Sequence, residues 1–271
     1  DIDHRFTPSP TGVQGVAGHQ RVYRRRPDSY RSEFPVAYRH DRAGLTLLLR
    51  GRADGYDPER GIVEEIKTCR VRPDLIPEPV TRMHLAQARI YAAIIASQED
   101  LAQLEVHLTW FNIDSGEEEL VSQLYSQAEL AEFLEATLMR FSHWLQALAE
   151  LRQQRDLSLS TLSFPYGEFR AGQREIAELV YKCIDQAGQL MMEAPTGIGK
   201  TAAVLYPALK ALGTGKHDRI AFITAKTVGR HAAEETLRNF RDVGLRVSAL
   251  SLTSKERICF SPGKVCHGDD C

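Results

Sequence analysis

Leu190-Met191-Met192-Glu193-Ala194-Pro195-Thr196-Gly197-Ile198-Gly199-Lys200-Thr201 decides how the second half of this chain reads. A short apolar run enters a loop with two glycines and a Gly-Lys-Thr triplet. The apolar-periodic stretch Ala202 to Leu212 follows, so the order is strand, glycine loop, helix. Backbone N–H groups of such a loop, added to the helix N-terminus, cradle phosphates. Lys200 can reach the outer phosphates and Thr201 can hold Mg. The strict pattern asks for glycine where Ala194 stands.

Working outward, Arg219 to Thr224 predicts a second buried strand, Val228 to Phe240 a helix and Leu245 to Leu252 a third strand. The alternation of β and α implies a parallel sheet. Upstream, residues 156–163 are rich in serine and leucine and precede Phe164 and Pro165, which places a boundary there. The expected domains are 1–156 and 157–271, within the 100 to 200 residues or so of an ordinary domain.

The first half predicts helix, three strands, helix, strand. Gly12 to Arg26 forms a helix and Glu33 to His40 is extended, with a turn at Asp41-Arg42-Ala43-Gly44. Leu45 to Tyr56 and the β-branched Ile62 to Cys69 pair as antiparallel strands. Met83, Ala86, Ile90, Ala93 and Ile94 recur at three- and four-residue spacing, so Val80 to Gln98 is an amphipathic helix. Leu104, Val106, Leu108 and Trp110 alternate as a strand. Leu120 to Tyr125 adds another, and a long helix covers Ala128 to Arg155.

Composition bounds the function classes. The 271 residues include 43% hydrophobic residues, enough for a sizeable core, and 34 Lys and Arg against 36 Asp and Glu give a net charge of -2. That balance excludes a polybasic nucleic-acid coat. The longest apolar run, Ile90 to Ala96, is far short of the roughly 20 residues that span a bilayer, so a cytoplasmic, membrane-free protein is expected. Five cysteines, three of them within the last thirteen positions, fit a cofactor site better than a disulfide scaffold.

Two constellations carry chemistry. On the predicted hairpin, Asp54 ends one strand while Glu65 and Lys67, two apart on its partner, share a face. Two carboxylates suit a divalent metal, and a lysine suits the attacking water or the developing phosphorane charge of phosphodiester hydrolysis. A solvated strand end with a surface ion pair is the alternative. The second constellation is the glycine loop.

Both constellations resemble known families. Gly51-Arg52-Ala53-Asp54-Gly55-Tyr56, Glu65-Ile66-Lys67-Thr68, and Gln87 with Tyr91 resemble the PD-(D/E)xK nucleases of the RecB-like branch. The resemblance implies a restriction-endonuclease-like αβββαβ fold in which Asp54 and Glu65 bind Mg or Mn and Lys67 assists catalysis. It also implies that Gln87 and Tyr91 position DNA or the active site, and that His19 is an extra metal ligand. Some members carry flanking iron-sulfur cysteines; here only Cys69 lies within the domain.

The glycine loop, the preceding Phe164-Pro165-Tyr166 with Phe169-Arg170-Gln173, and Thr224-Ala225-Lys226-Thr227 resemble superfamily 2 helicases related to XPD and DinG. This implies a RecA-like P-loop domain that binds ATP through Ala194, Pro195, Thr196, Gly197, Ile198, Gly199, Lys200 and Thr201. Gln173 is then placed on adenine and Lys226 on the DNA backbone. Ser254 to Cys259, with Cys266 and Cys271, resembles the start of an inserted iron-sulfur domain holding a 4Fe-4S cluster. Such a cluster needs four thiolates, so the fourth ligand is expected outside this chain. A Cys₃His zinc site using His267 is the rival.

After Thr201 no Asp-Glu pair lies at a strand end: Glu234 and Glu235 are mid-helix, and Asp269 and Asp270 sit among the cysteines. The chain is therefore expected to be the N-terminal part of a longer protein. The combined expectation is an ATP-dependent helicase with a metal-dependent nuclease, acting on single-stranded or forked DNA in repair. A nucleotide-regulated nuclease without unwinding and a noncatalytic DNA-binding module are the alternatives.

Overall fold

The computed structural model describes residues 10–42, 44–260 and 263. They form two compact units, one of the described residues through His143 with those from Lys255 on, the other Trp144–Ser254.

In the first unit α1 (Gly12–Tyr23) begins at Thr11, whose hydroxyl accepts from the Gln14 N–H while the Gln14 side chain accepts from the Thr11 N–H. This reciprocal cap satisfies two donors that a helix start leaves open. The strands are β1 (Arg31–Arg42), β2 (Leu45–Asp57), β3 (Ile62–Cys69), β4 (Gln103–Asn112) and β5 (Glu118–Ser126). They form one sheet in chain order, antiparallel throughout except for the parallel pair β3–β4. A parallel neighbour needs a crossover, and α2 (Glu78–Gln98) supplies it. The result is an α/β fold with a mixed sheet flanked by helices.

Alternation along β3 divides the two faces. Ile66 packs with Val22 of α1 and Phe111, whereas Cys69 packs with Leu108, Trp110 and, from the crossover, Val80 and Leu85. Glu65 and Lys67 share the parity of Cys69, so they lie on the crossover side. Helix α3 (Gln127–Ser160) follows β5.

The second unit holds α4 (Gln173–Asp185), α5 (Lys200–Leu212) and α6 (Thr227–Asp242); the four-residue α7 (Lys255–Ile258) comes after it. Ile176, Ala177 and Val180 recur at helical spacing on α4, which buries that stripe against Ala203. A second cluster joins Leu159, Leu205, Leu209 and Leu212 to Phe240 and Leu245.

The parallel sheet expected here is corrected by the structure. Among the described residues, 190–193, 219–224 and 245–252 form no strand, and the one sheet they contain is that of the first unit. Parallel strands are stabilised by cover on both faces. Met191, Ile223, Leu250 and Leu252 are instead almost fully exposed.

Candidate functional sites

The first site lies where β2 and β3 part. Their ladder runs from Asp57↔Ile62 to Gly55↔Glu64 and stops. One residue further, Asp54 Oδ2 accepts the Ile66 N–H at 2.7 Å, so a side chain takes over from the backbone and is held at the fork. Across the fork Lys67 Nζ lies 2.5 Å from Glu65 Oε1. Glu65 is only 1% exposed, and its other oxygen, Oε2, is buried with no hydrogen-bond partner. Burying a carboxylate half-satisfied is costly. Its pKa is pushed up to about 7, first by burial and then by the charge of Asp54, against the pull of Lys67. Burial also raises Asp54, opposed by the Ile66 N–H and by His19.

From α1, His19 Nδ1 stands 3.5 Å from Asp54 Oδ1. From α2, Gln87 Nε2 donates to the Tyr91 hydroxyl at 3.3 Å. The Tyr91 ring lies over Gly51, within 3.0 Å of where a Cβ would sit. The structure thus brings His19 to Asp54, sets Glu65 beside Lys67, and links Gln87 with Tyr91.

Sequence reasoning missed two residues here. Glu33 places a carboxylate oxygen within 4.8 Å of ligand atoms of both His19 and Asp54. Its signal was available: a turn centred on residues 43 and 44 puts 33 opposite 54, as the flanking pairs Ser32↔Gly55 and Phe34↔Ala53 bear out. The other is His84, one turn before Gln87 on α2. Its ring meets Trp110 edge-on, and its Nδ1 is buried without a partner. Burial, helped by the Lys67 cation, lowers its pKa to about 4, so the imidazole is neutral at ordinary pH.

The donor set of one imidazole and hard carboxylate oxygens suits a divalent cation such as Mg or Mn. The orphaned oxygen of Glu65 is the observation that such an ion fits, because a cation would supply the missing partner.

The second site is the glycine loop. Gly197 and Gly199 have φ of 89° and 84°, a left-handed conformation that side chains resist. Gly199 is the N-cap of α5, which puts Lys200 and Thr201 in its first turn. Lys200 Nζ donates to the carbonyls of Ala194 and Pro195 at 3.0 and 2.8 Å. Arg170 Nη1 donates to Gly197 O at 2.7 Å, and Gln173 Nε2 to Gly199 O at 3.2 Å. The Gln173 Oε1 accepts the Arg170 N–H, so both polar ends of this buried side chain brace the loop. Lys226 is exposed at the N-cap of α6.

Comparison with known proteins bears on this second site. Residues 171–258 match the family model for the DEAD/DEAH box helicase. That stretch contains Gln173, the whole glycine loop and Lys226, and it is similar to the corresponding segment of DEAD/DEAH box helicases. A probable ATP-dependent helicase of Methanocaldococcus jannaschii, MJ0942, is 46% identical over 46 residues, which cover 17% of this chain and 7% of that protein. The crystal structure of SSO0001 aligns at a TM-score of 0.34 and 22% identity, over 48% of this chain and 61% of its own. So loose a likeness carries no argument.

These findings correct the expected family identity. What they support is a superfamily 2 segment of the DEAD/DEAH box type. An XPD/DinG identity, a RecB-like PD-(D/E)xK nuclease and an iron-sulfur cluster are not in evidence. Among the described residues, the one group of His, Cys, Asp and Glu side chains placed to hold a metal ion is His19, Glu33 and Asp54; it contains no cysteine. Cys69 is buried in the sheet's apolar packing, far in character from a cluster ligand. Cys259 joins no such group, and Cys266, His267 and Cys271 lie outside the described residues. Among the described residues no helix is long and apolar enough to cross a membrane.

Proposed function

We propose that this chain couples part of an ATP-dependent helicase motor to a divalent-metal-dependent nuclease site, acting on DNA. The motor half of the reading rests on the helicase match over residues 171–258 and on the loop that it contains. The nuclease half rests on one observation, the buried Glu65 carboxylate with an unpartnered oxygen beside Asp54 and Lys67.

In the motor segment, the N–H groups of residues 196–201, from the loop and the start of α5, face a nucleotide's phosphates. Lys200 exchanges its two carbonyl partners for phosphate oxygens, and Thr201 completes the Mg site. Gln173 contributes to adenine recognition through the brace that it forms with the loop. Lys226 binds a DNA phosphate, so binding weakens with salt.

At the nuclease site Asp54, Glu65 and His19 would hold Mg or Mn, which would supply Lewis acidity and an activated water. The chain's own part is electrostatic. Lys67 keeps an ammonium beside Glu65, where it offsets charge on the phosphate under attack. Gln87 and Tyr91, linked by their hydrogen bond, orient the strand. Single-stranded or forked DNA is the substrate class, in repair or processing.

The test uses single-stranded DNA with Mg or Mn. Wild type should cut it, and Asp54→Asn and Lys67→Ala should each lower the rate by at least ~100-fold while DNA binding persists. Binding without cleavage in the wild type sinks the nuclease half. ATP binding that survives Lys200→Ala sinks the motor half.

A further inference from the structure

Resting on the nuclease reading of the same site, we propose that His84 is a positioning residue for Lys67. Its Nδ1 accepts one N–H of the ammonium and keeps that cation at the phosphate under attack once the Glu65 carboxylate is engaged by a metal ion.

The fold brings the two groups to one place. Lys67 pairs with Trp110 across the parallel β3–β4 register, and both side chains rise from the sheet on the crossover side. Over that side runs α2, whose His84 ring meets the Trp110 ring edge-on with centroids 5.6 Å apart. Gln87 and Tyr91 follow on the same face of the helix, one turn and two turns on, so His84 extends their row. The charge of Lys67 is felt at the imidazole, whose pKa it helps burial to lower.

A spare donor and a spare acceptor therefore share this face. Lys67 Nζ has three donors and one partner among the described residues, Glu65 Oε1 at 2.5 Å. His84 Nδ1 is buried and takes a hydrogen bond from none of them. A buried ring nitrogen left that way is costly until a donor arrives. The ring is neutral at ordinary pH, and with its proton on Nε2 it accepts at Nδ1. A metal ion at Glu65 repels the ammonium and competes for the same carboxylate charge. A second carboxylate in place of His84 would hold Lys67 but cancel its charge. An uncharged acceptor holds it and leaves the full charge for the phosphate.

The experiment separates the ring from its nitrogen. His84→Phe keeps an aromatic edge on Trp110 and removes the acceptor, whereas His84→Asn gives up the ring and restores an acceptor oxygen close to where Nδ1 stands. With single-stranded DNA and Mg, His84→Phe should lower kcat by ~10–100-fold with KM unchanged. His84→Asn should recover most of that loss even if it lowers the melting temperature. The second readout needs no turnover: in heteronuclear magnetic resonance of the full chain, the His84 Nδ1 signal should move upfield on adding Mg and stay put in Lys67→Ala. Wild-type cleavage with a harmless His84→Phe, a damaging His84→Asn and an unmoved Nδ1 signal overturns the inference and leaves the nuclease reading standing. A wild type that neither cuts DNA nor shifts the signal with Mg overturns both.

Discussion

Glu64 and Glu65 are chain neighbours with opposite fates. Glu64 points to the α1 side of the sheet, where the Arg26 guanidinium bonds both of its oxygens at 2.6 and 2.9 Å and Thr109 donates to it as well. Arg26 also reaches Glu118 of β5 at 2.7 Å. Burial alone would raise the Glu64 carboxyl, but the Arg26 and Thr109 hydrogen bonds prevail and hold it below its ordinary 4.5. Removing the cation leaves a buried charge behind, so Arg26→Met should cost about 3–5 kcal/mol. Adding Glu64→Gln to that variant should recover part of the loss. Because the folded pKa is the lower one, the pair's contribution is present above 4.5 and is lost as pH falls through the folded value. Denaturant unfolding of wild type and Arg26→Met should therefore differ most at neutral pH and converge in acid. Equal stability at neutral pH would refute the assignment. The sequence marked out Glu65 only through Lys67 two positions on; nothing in it showed that Glu64 would find an arginine 38 residues upstream.

At the scale of elements, the fork between β2 and β3 depends on a residue with no side chain. A Cβ at Gly55 would lie 1.7 Å from the Tyr30 hydroxyl, so the ring occupies the space that any other residue needs. Gly55→Ala should destabilise the protein by about 1–3 kcal/mol and, because Asp54 is next in the chain, weaken Mn binding as well. Thermal unfolding and a Mn titration report the two effects; a variant that lost neither would show that the ring yields freely. The strands around this fork were legible because alternation, turn residues and β-branching all pointed the same way. The extended segments of the second unit were not. Leu190 to Met192, Arg219 to Thr224 and Leu245 to Leu252 have a strand's local composition, but a strand is made by its neighbours, and here no ladder joins them.

For the whole molecule, the consequence is an uneven surface. Met191 is 99% exposed and Ile223 is 92% exposed, with Leu250 and Leu252 close behind, all on the unpaired segments of Trp144–Ser254. Exposed apolar groups gathered in one unit bind hydrophobic dyes. The native chain should enhance anilinonaphthalene sulfonate fluorescence, and the double substitution Met191→Lys with Leu250→Lys should reduce that enhancement without lowering the melting temperature. An unchanged signal would place the dye elsewhere. The two functional regions were unequally legible for a related reason. The glycine loop is a contiguous string whose conformation its own glycines dictate, and it reads directly from sequence. The cysteines near the chain's end suggested a cluster only by crowding together in sequence, and sequence crowding carries no geometry. Glu33, by contrast, was recoverable by counting outward from the hairpin turn.

Lys200 is docked on the carbonyls of Ala194 and Pro195. On the proposed nucleotide-binding reading, an arriving phosphate must outcompete two dipoles rather than fill a bare positive hole, which blunts capture of small stray anions and rewards a ligand carrying several charges at once. The same docking point works in reverse. On the same reading, when a spent nucleotide loosens its hold the ammonium has somewhere to go within the loop, so letting go need not wait for water to resolvate it: the catch would also be the ejector.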